Sequence, residues 1–218
     1  NHYEILLGIK NEDGSLGAPA DFIEAAEHYN RMQLVDRWVI EQSFIWLQKQ
    51  SANDQALPHL SINLSANSIN DNQLADFLNE QFKKYQIPSD HICFEITETA
   101  TIANIATAAD FIREIKKLGC QFSLDDFGSG NASYQYLKHL PVDFIKIDGT
   151  FIKDIHKSQD DYAMVKSIRE IAHLMGKWTI AEFVENDEII AILKEIGVDY
   201  FQGYGIHKPT PLENIKPD

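Results

Sequence analysis

Basic residues are scarce in this chain. Its 218 residues include 33 Asp and Glu against 19 Lys and Arg, a formal net charge of −14. A protein that holds a nucleic-acid polymer neutralises backbone phosphates with Lys and Arg, so such a polymer is excluded as the main partner. A small phosphate ligand stays open, because a bound metal ion reverses the local field. Cysteine is scarce too. Cys93 and Cys120 are the only two, and both sit in apolar runs. They read as small buried hydrophobes of a reducing, cytoplasmic compartment and not as a disulfide framework. There is no run of about 18 apolar residues, so no membrane span is expected. No HExxH or CxxC motif occurs and the eight histidines are scattered, which argues against zinc. The absence of GxxxxGK[ST] and GxGxxG loops leaves nucleoside-triphosphate and dinucleotide readings without support. No Ser-His-Asp order and no nucleophilic cysteine setting stands out. No signal peptide is visible. The abrupt start at Asn1 leads us to expect a single domain, residues 1–218, cut from a longer protein.

What is present is an alternation of strand-like and helix-like runs, with 44% hydrophobic residues to build a core. The pattern predicts strands over Tyr3–Ile9, Leu60–Leu64, Ile92–Ile96, Gln121–Leu124, Phe144–Ile147, Trp178–Ala181 and Val198–Gln202. A turn is expected at Asn11–Gly14. Helices are predicted over Asp21–Glu27, Met32–Lys49, Asn72–Tyr85, a stretch ending at Leu118, Ser133–His139, Asp161–Met175, and from an Asn186 cap to before Gly197. In Met32–Lys49 the residues Leu34, Val35, Trp38, Val39, Ile45 and Trp46 form a helical stripe expected to face the core. The strands are short and mostly apolar, as when both faces are covered. This βα rhythm fits an open doubly wound sheet or a closed (β/α)₈ barrel. Seven strands is one short of a barrel.

Polar residues collect at the strand ends. Asn63 closes the second strand. Glu95 and Glu98 end the third, Asp125 and Asp126 the fourth, Lys146 and Asp148 the fifth. Glu182 and Glu185 end the sixth, Gln202 the seventh, and Glu4 lies within the first. In a barrel such ends converge on one face. Adjacent carboxylates aimed into one pocket need a cation, or one of them must take a proton. The plainer alternative is that one aspartate caps a helix and the other faces solvent. Capping does not easily account for six such ends in succession. Carboxylate and amide oxygens suit hard ions such as Mg²⁺ or Mn²⁺. Two such ions about 4 Å apart support in-line displacement at phosphorus. Lys146 among carboxylates reads either as a group that positions water or as a structural salt bridge.

The motifs Glu4-Ile5-Leu6-Leu7, Asn63-Leu64-Ser65, Glu95-Ile96-Thr97-Glu98 and Asp125-Asp126-Phe127-Gly128-Ser129-Gly130 occur in that order. Lys146-Ile147-Asp148, Ala181-Glu182-Phe183-Val184-Glu185 and Gln202-Gly203-Tyr204 follow them, and the match runs to about Pro209. With these pieces the chain resembles the EAL domain, the cyclic di-GMP phosphodiesterase family of bacterial signalling. The resemblance implies a modified TIM (β/α)₈ barrel whose first, antiparallel strand lies before Asn1. It implies two ions, Mg²⁺ or Mn²⁺. Glu4, Asn63, Glu95 and Asp125 would hold one; Asp125, Asp126 and Glu182 would hold the other. Lys146 would orient and help activate the attacking water, and Gln202 would support that water or its metal. Glu185 and Asp148 would stand behind the ligands, and Glu98 would anchor the loop after Asp126. Leu6, Asp148 and Pro209 would touch substrate. The implied reaction opens cyclic di-GMP to linear pGpG. The implied partners are a second copy of the domain and an upstream sensor or GGDEF domain. A receptor that binds cyclic di-GMP without turning it over is the alternative. The chain departs from the family's usual text at three places. Gly8 stands where an Arg is common, Asn131-Ala132-Ser133-Tyr134 follows the glycine turn, and Phe183 replaces a Gly.

Overall fold

The computed structural model describes residues 2–10, 16–17, 19–51, 57–102, 104–129 and 137–215. The chain divides into two compact units. The first comprises Asn1–Phe94, Glu114–Cys120 and Pro211–Asp218; the second comprises Glu95–Arg113 and Gln121–Thr210. Strand β5, Ile92–Thr97, contributes to both.

In the first unit, β1 (His2–Ile5) pairs in parallel with β4 (His59–Asn63), with Glu4 opposite Ser61. A short antiparallel pair, β2 (Ile9–Lys10) and β3 (Leu16–Gly17), lies between them in sequence. The strand expected over Tyr3–Ile9 is therefore two separate pieces. The turn expected at Asn11–Gly14 lies outside the described residues. The helices Met32–Ser51 and Leu74–Tyr85 supply most of the cover. Ile40, Phe44, Leu47, Leu60, Ile62, Leu74 and Leu78 are wholly buried. This corrects the expected stripe of the long helix. Of that stripe Trp46 is buried as expected, but Leu34 and Trp38 are 60% and 54% exposed, while Asp36, Ile40, Ser43, Phe44 and Leu47 face inward. Apolar residues surround this helix, so periodicity alone did not single out the core face. Two of the inward positions are polar.

The second unit continues with β6 (Gln121–Phe127), β7 (Phe144–Ile147), β8 (Trp178–Ala181) and β9 (Tyr200–Phe201), neighbours in that order. The β6–β7, β7–β8 and β8–β9 pairs are all parallel. Phe122, Leu124, Ile145, Ile147 and Ala181 are buried between helices, as parallel strands require. The helix Gln159–Leu174 is capped by the Ser158 side chain. The helix Asp187–Ile196 starts at Asn186, whose Oδ1 accepts from Ile189 N at 3.0 Å, and ends at Gly197 in the left-handed region with φ 86°. The stretch expected to run as a helix to Leu118 holds two, Glu98–Ile102 and Ile105–Lys116. Short helices at Ala66–Ile69 and Gly149–Ile152 were not expected from the sequence. Each starts within three residues of a strand end and is too short to show periodicity. Strand β9 is shorter than Val198–Gln202, and β6 runs three residues past Leu124. Asn131–Tyr134 and the start of the expected helix over Ser133–His139 lie outside the described residues. Cys93 and Cys120 are both free and buried. Among the described residues, no helix is long and apolar enough to cross a membrane.

Candidate functional site

The register of β6 against β7 shapes the site. Ser123 pairs with Phe144 and Leu124 with Ile145, but the next matched pair is Phe127 with Ile147. Asp125 and Asp126 therefore share the single position opposite Lys146, which is a β-bulge. Asp126 adopts φ 56°, a left-handed conformation that Asp tolerates better than most residues. In a regular strand successive side chains point to opposite faces, and the two carboxylates would be separated. With the bulge, one carboxylate oxygen from each of Asp125, Asp126 and Glu182 lies within 4.8 Å of the others.

Lys146 stands at the centre of this group and is 1% exposed. Its Nζ donates to Glu95 Oε2 at 2.7 Å and pairs with Glu182 Oε1 at 2.9 Å and Asp125 Oδ1 at 3.1 Å. Burying an ammonium is expensive without such partners. Three carboxylates, of Glu95, Asp125 and Glu182, thus share one lysine, and Asp126 lies beside two of them. Like charges gathered this closely repel, and a divalent cation offsets that repulsion. The donors are all oxygens, so the set fits a hard ion of the Mg²⁺ or Mn²⁺ kind.

Backbone contacts hold the surrounding segments. Glu182 N donates to Ile147 O at 3.3 Å, Gln202 N to Ala181 O at 2.8 Å, and Val184 N to Gln202 O at 2.9 Å. Phe183 between them takes φ 51°, a position that costs a bulky residue about 1–3 kcal/mol. Glu98 is buried; its Oε2 accepts from Gly128 N at 2.9 Å, so it ties β5 to the turn after Asp126. Asp148 caps the helix that follows it, accepting from Thr150 N at 2.7 Å. Glu185 and Pro209 are exposed.

Three predicted residues, Glu4, Leu6 and Asn63, belong to the first unit, and two of them meet there: Asn63 Nδ2 donates to Glu4 Oε1 at 2.8 Å. Leu6 is 58% exposed. Sequence reasoning overlooked Asp36. Its Oδ2 accepts from Ser65 N at 2.9 Å and from the Ser65 and Ser68 hydroxyls at 2.6 Å each. It thereby fixes the turn just after Asn63. Burial pushes the Asp36 carboxyl above its ordinary value, against the lowering effect of these hydrogen bonds. The signal was spacing: Asp36 falls on one helical stripe with Ile40, Ser43 and Leu47.

The sequence and the structure match known proteins. The family model described as the EAL domain matches residues 1–209. The cyclic di-GMP phosphodiesterase PdeB of Shewanella oneidensis is 47% identical over 211 residues, covering 96% of this chain and 24% of that protein. The cyclic di-GMP phosphodiesterase PdeF of Escherichia coli K12 is 38% identical over 213 residues, covering 97% of this chain and 28% of that protein. The EAL domain of FimX from Pseudomonas aeruginosa, solved bound to c-di-GMP, is 30% identical with a TM-score of 0.90, over 100% of this chain and 86% of that one. The chain thus spans about a quarter of the length of these two curated relatives. The structural match establishes the fold class expected from the motifs, a modified (β/α)₈ barrel, with seven of its strands among the described residues.

Proposed function

This chain belongs to the EAL-domain family, and from that premise we propose that it hydrolyses one phosphodiester bond of cyclic di-GMP to give linear pGpG. The observation that carries the reading is the buried Lys146 held among Glu95, Asp125 and Glu182, beside the close set of Asp125, Asp126 and Glu182. Glu4, Asn63, Glu95 and Asp125 are assigned to one Mg²⁺ or Mn²⁺ ion, and Asp125, Asp126 and Glu182 to the second. Two such ions, when bound, supply a water nucleophile at neutral pH and offset charge on the attacking and leaving oxygens.

The rest is the work of the chain. An ammonium has three donors, and Glu95, Asp125 and Glu182 occupy all of them. A donor for the attacking water is released when Asp125 or Glu182 turns its oxygen elsewhere. Lys146 is fixed in place before substrate arrives, so it orients that water with little reorganisation. Gln202 supports the same water from a main chain already locked by Ala181 and Val184. Glu98 holds the turn that carries Gly128, and Glu185 backs the segment after Glu182. Leu6, Asp148 and Pro209 contact substrate. Attack forms the new P–O bond, the 3′ oxygen leaves and takes up a proton, and the product keeps a 5′ phosphate. The domain is assigned to the cytoplasm as a homodimer, joined to a sensor or GGDEF domain. The greater length of the relatives supports that last assignment.

One observation favours a second reading, a receptor without turnover. Gly8 is exposed, and it stands where the family's usual text has an arginine, which the resemblance implies would reach a substrate phosphate. Incubation with cyclic di-GMP and Mg²⁺ or Mn²⁺, followed by chromatography, separates the two. The hydrolase yields pGpG. A folded protein that binds cyclic di-GMP and releases no pGpG is the receptor.

A further inference from the structure

Phe183 has no part in the chemistry above, yet its main chain is held where bulky residues are rarely found, at φ 51°. Its ring shows why. It lies across Gly149 so closely that a Cβ at Gly149 would stand 2.1 Å from Phe183 Cδ2 and 2.6 Å from Cγ. Lys153 sets its Nζ 4.3 Å from the ring centroid, a cation–π contact. Phe183 directly follows Glu182, and Gly149 directly follows the Lys146-Ile147-Asp148 run. The ring therefore bridges the segment after β8 to the segment after β7. It is 51% exposed, so burial alone does not account for the strained main chain.

We propose that Phe183, Gly149 and Lys153 form a latch between these two segments, and that Phe183 is a positioning residue for Glu182. The ring fixes the main chain on either side of it, and so holds the Glu182 carboxylate at 2.9 Å from Lys146. Gly149 is glycine because the ring occupies the space its side chain would take. Its own φ is not in the left-handed region, and the three atoms nearest to an added Cβ all belong to the Phe183 side chain, so alanine there meets that side chain without backbone strain. The latch stands on this geometry. Its effects on Mn²⁺ affinity and on turnover rest on the phosphodiesterase reading and its metal site.

A double-mutant cycle tests it, with hydrogen exchange of the Glu182 and Val184 amides as the first readout and Mn²⁺ affinity as the second. Phe183→Gly relieves the backbone and removes the ring. Exchange at both amides should rise, and the Mn²⁺ dissociation constant should rise about tenfold, as for other residues that orient ligands from behind. Gly149→Ala should do the same in the native background and add nothing in the Phe183→Gly background. Additive effects, or a Gly149→Ala protein with native exchange, would overturn the latch. If Gly149→Ala does not fold, Lys153→Gln replaces it. It should raise exchange in the native background only, and native exchange there refutes the latch equally. Hydrolysis of cyclic di-GMP is followed alongside, with a fall in kcat greater than any change in KM. If the native protein makes no pGpG, the phosphodiesterase reading fails alone, and the exchange cycle still decides the latch.

Discussion

Replacing Lys146 by methionine keeps an unbranched side chain one atom shorter and removes its charge. The Lys146 and Glu95 side chains are each 1% exposed, and those of Asp125 and Glu182 are 12% and 11% exposed. Removing one partner from a buried ion pair costs about 3–5 kcal/mol, because the remaining carboxylates are left together without their shared cation. For a chain of this size each kcal/mol corresponds to about 2–4 °C. The variant in EDTA should therefore melt roughly 6–20 °C below the native protein. Excess Mn²⁺ should narrow the gap, because it offers the carboxylates another cation. Turnover of cyclic di-GMP should fall at least about 100-fold. Differential scanning calorimetry in EDTA and in Mn²⁺, with chromatography of products, checks all three points. A variant that melts within about 2 °C of native in EDTA, or that keeps its turnover, refutes the account of Lys146.

Asp36 gives a second test with a definite sign. Burial raises its folded carboxyl above the ordinary value of 3.8, so the folded state binds its proton more tightly than the unfolded chain. That contribution is full below pH 3.8 and is lost as pH rises through the folded value. Asp36→Asn should flatten the fall of stability with pH in that window, as measured by urea unfolding. An unchanged slope would remove Asp36 as its source. Gly8→Arg should tighten cyclic di-GMP binding about ten- to a hundredfold, the worth of one charge-assisted contact. Isothermal titration reads it, and an unchanged affinity would show that the missing arginine is not what limits binding.

Strands with one clear period were legible. Phe144–Ile147 and Trp178–Ala181 have the bounds read from their apolar runs, and the Asn186 cap follows from local chemistry. The sixth strand of the chain was cut short at Leu124, because adjacent aspartates look like a strand end. Only pairing with β7 shows that they lie inside a strand, as a bulge. The inward face of the Met32–Ser51 helix was misread for a related reason. Asp36 is buried because Ser65 and Ser68, about thirty residues away, satisfy it, and no window of local sequence contains both. The acidic, oxygen-rich character of the candidate site was legible from the residues, since carboxylates recur at successive strand ends. Asp148 was read as a substrate or support residue, and the structure also gives it a helix to cap. The fit of Phe183 over Gly149 is set by side-chain packing between two segments, and neither residue signals it alone.

The bulge also decides which acid can stand at position 126. The carbonyl of Asp126 accepts from Ser129 N at 3.3 Å and from the Ser129 hydroxyl at 2.8 Å, which fixes the turn around its left-handed main chain. Asp is one of the few side chains that accept such a main chain readily; Glu is not. Glutamate would keep the charge and the donor atoms, yet it would load the turn with strain and carry the carboxylate one bond further from the strand. At this position the two acidic residues are different parts, and the backbone, more than the ion, makes the selection.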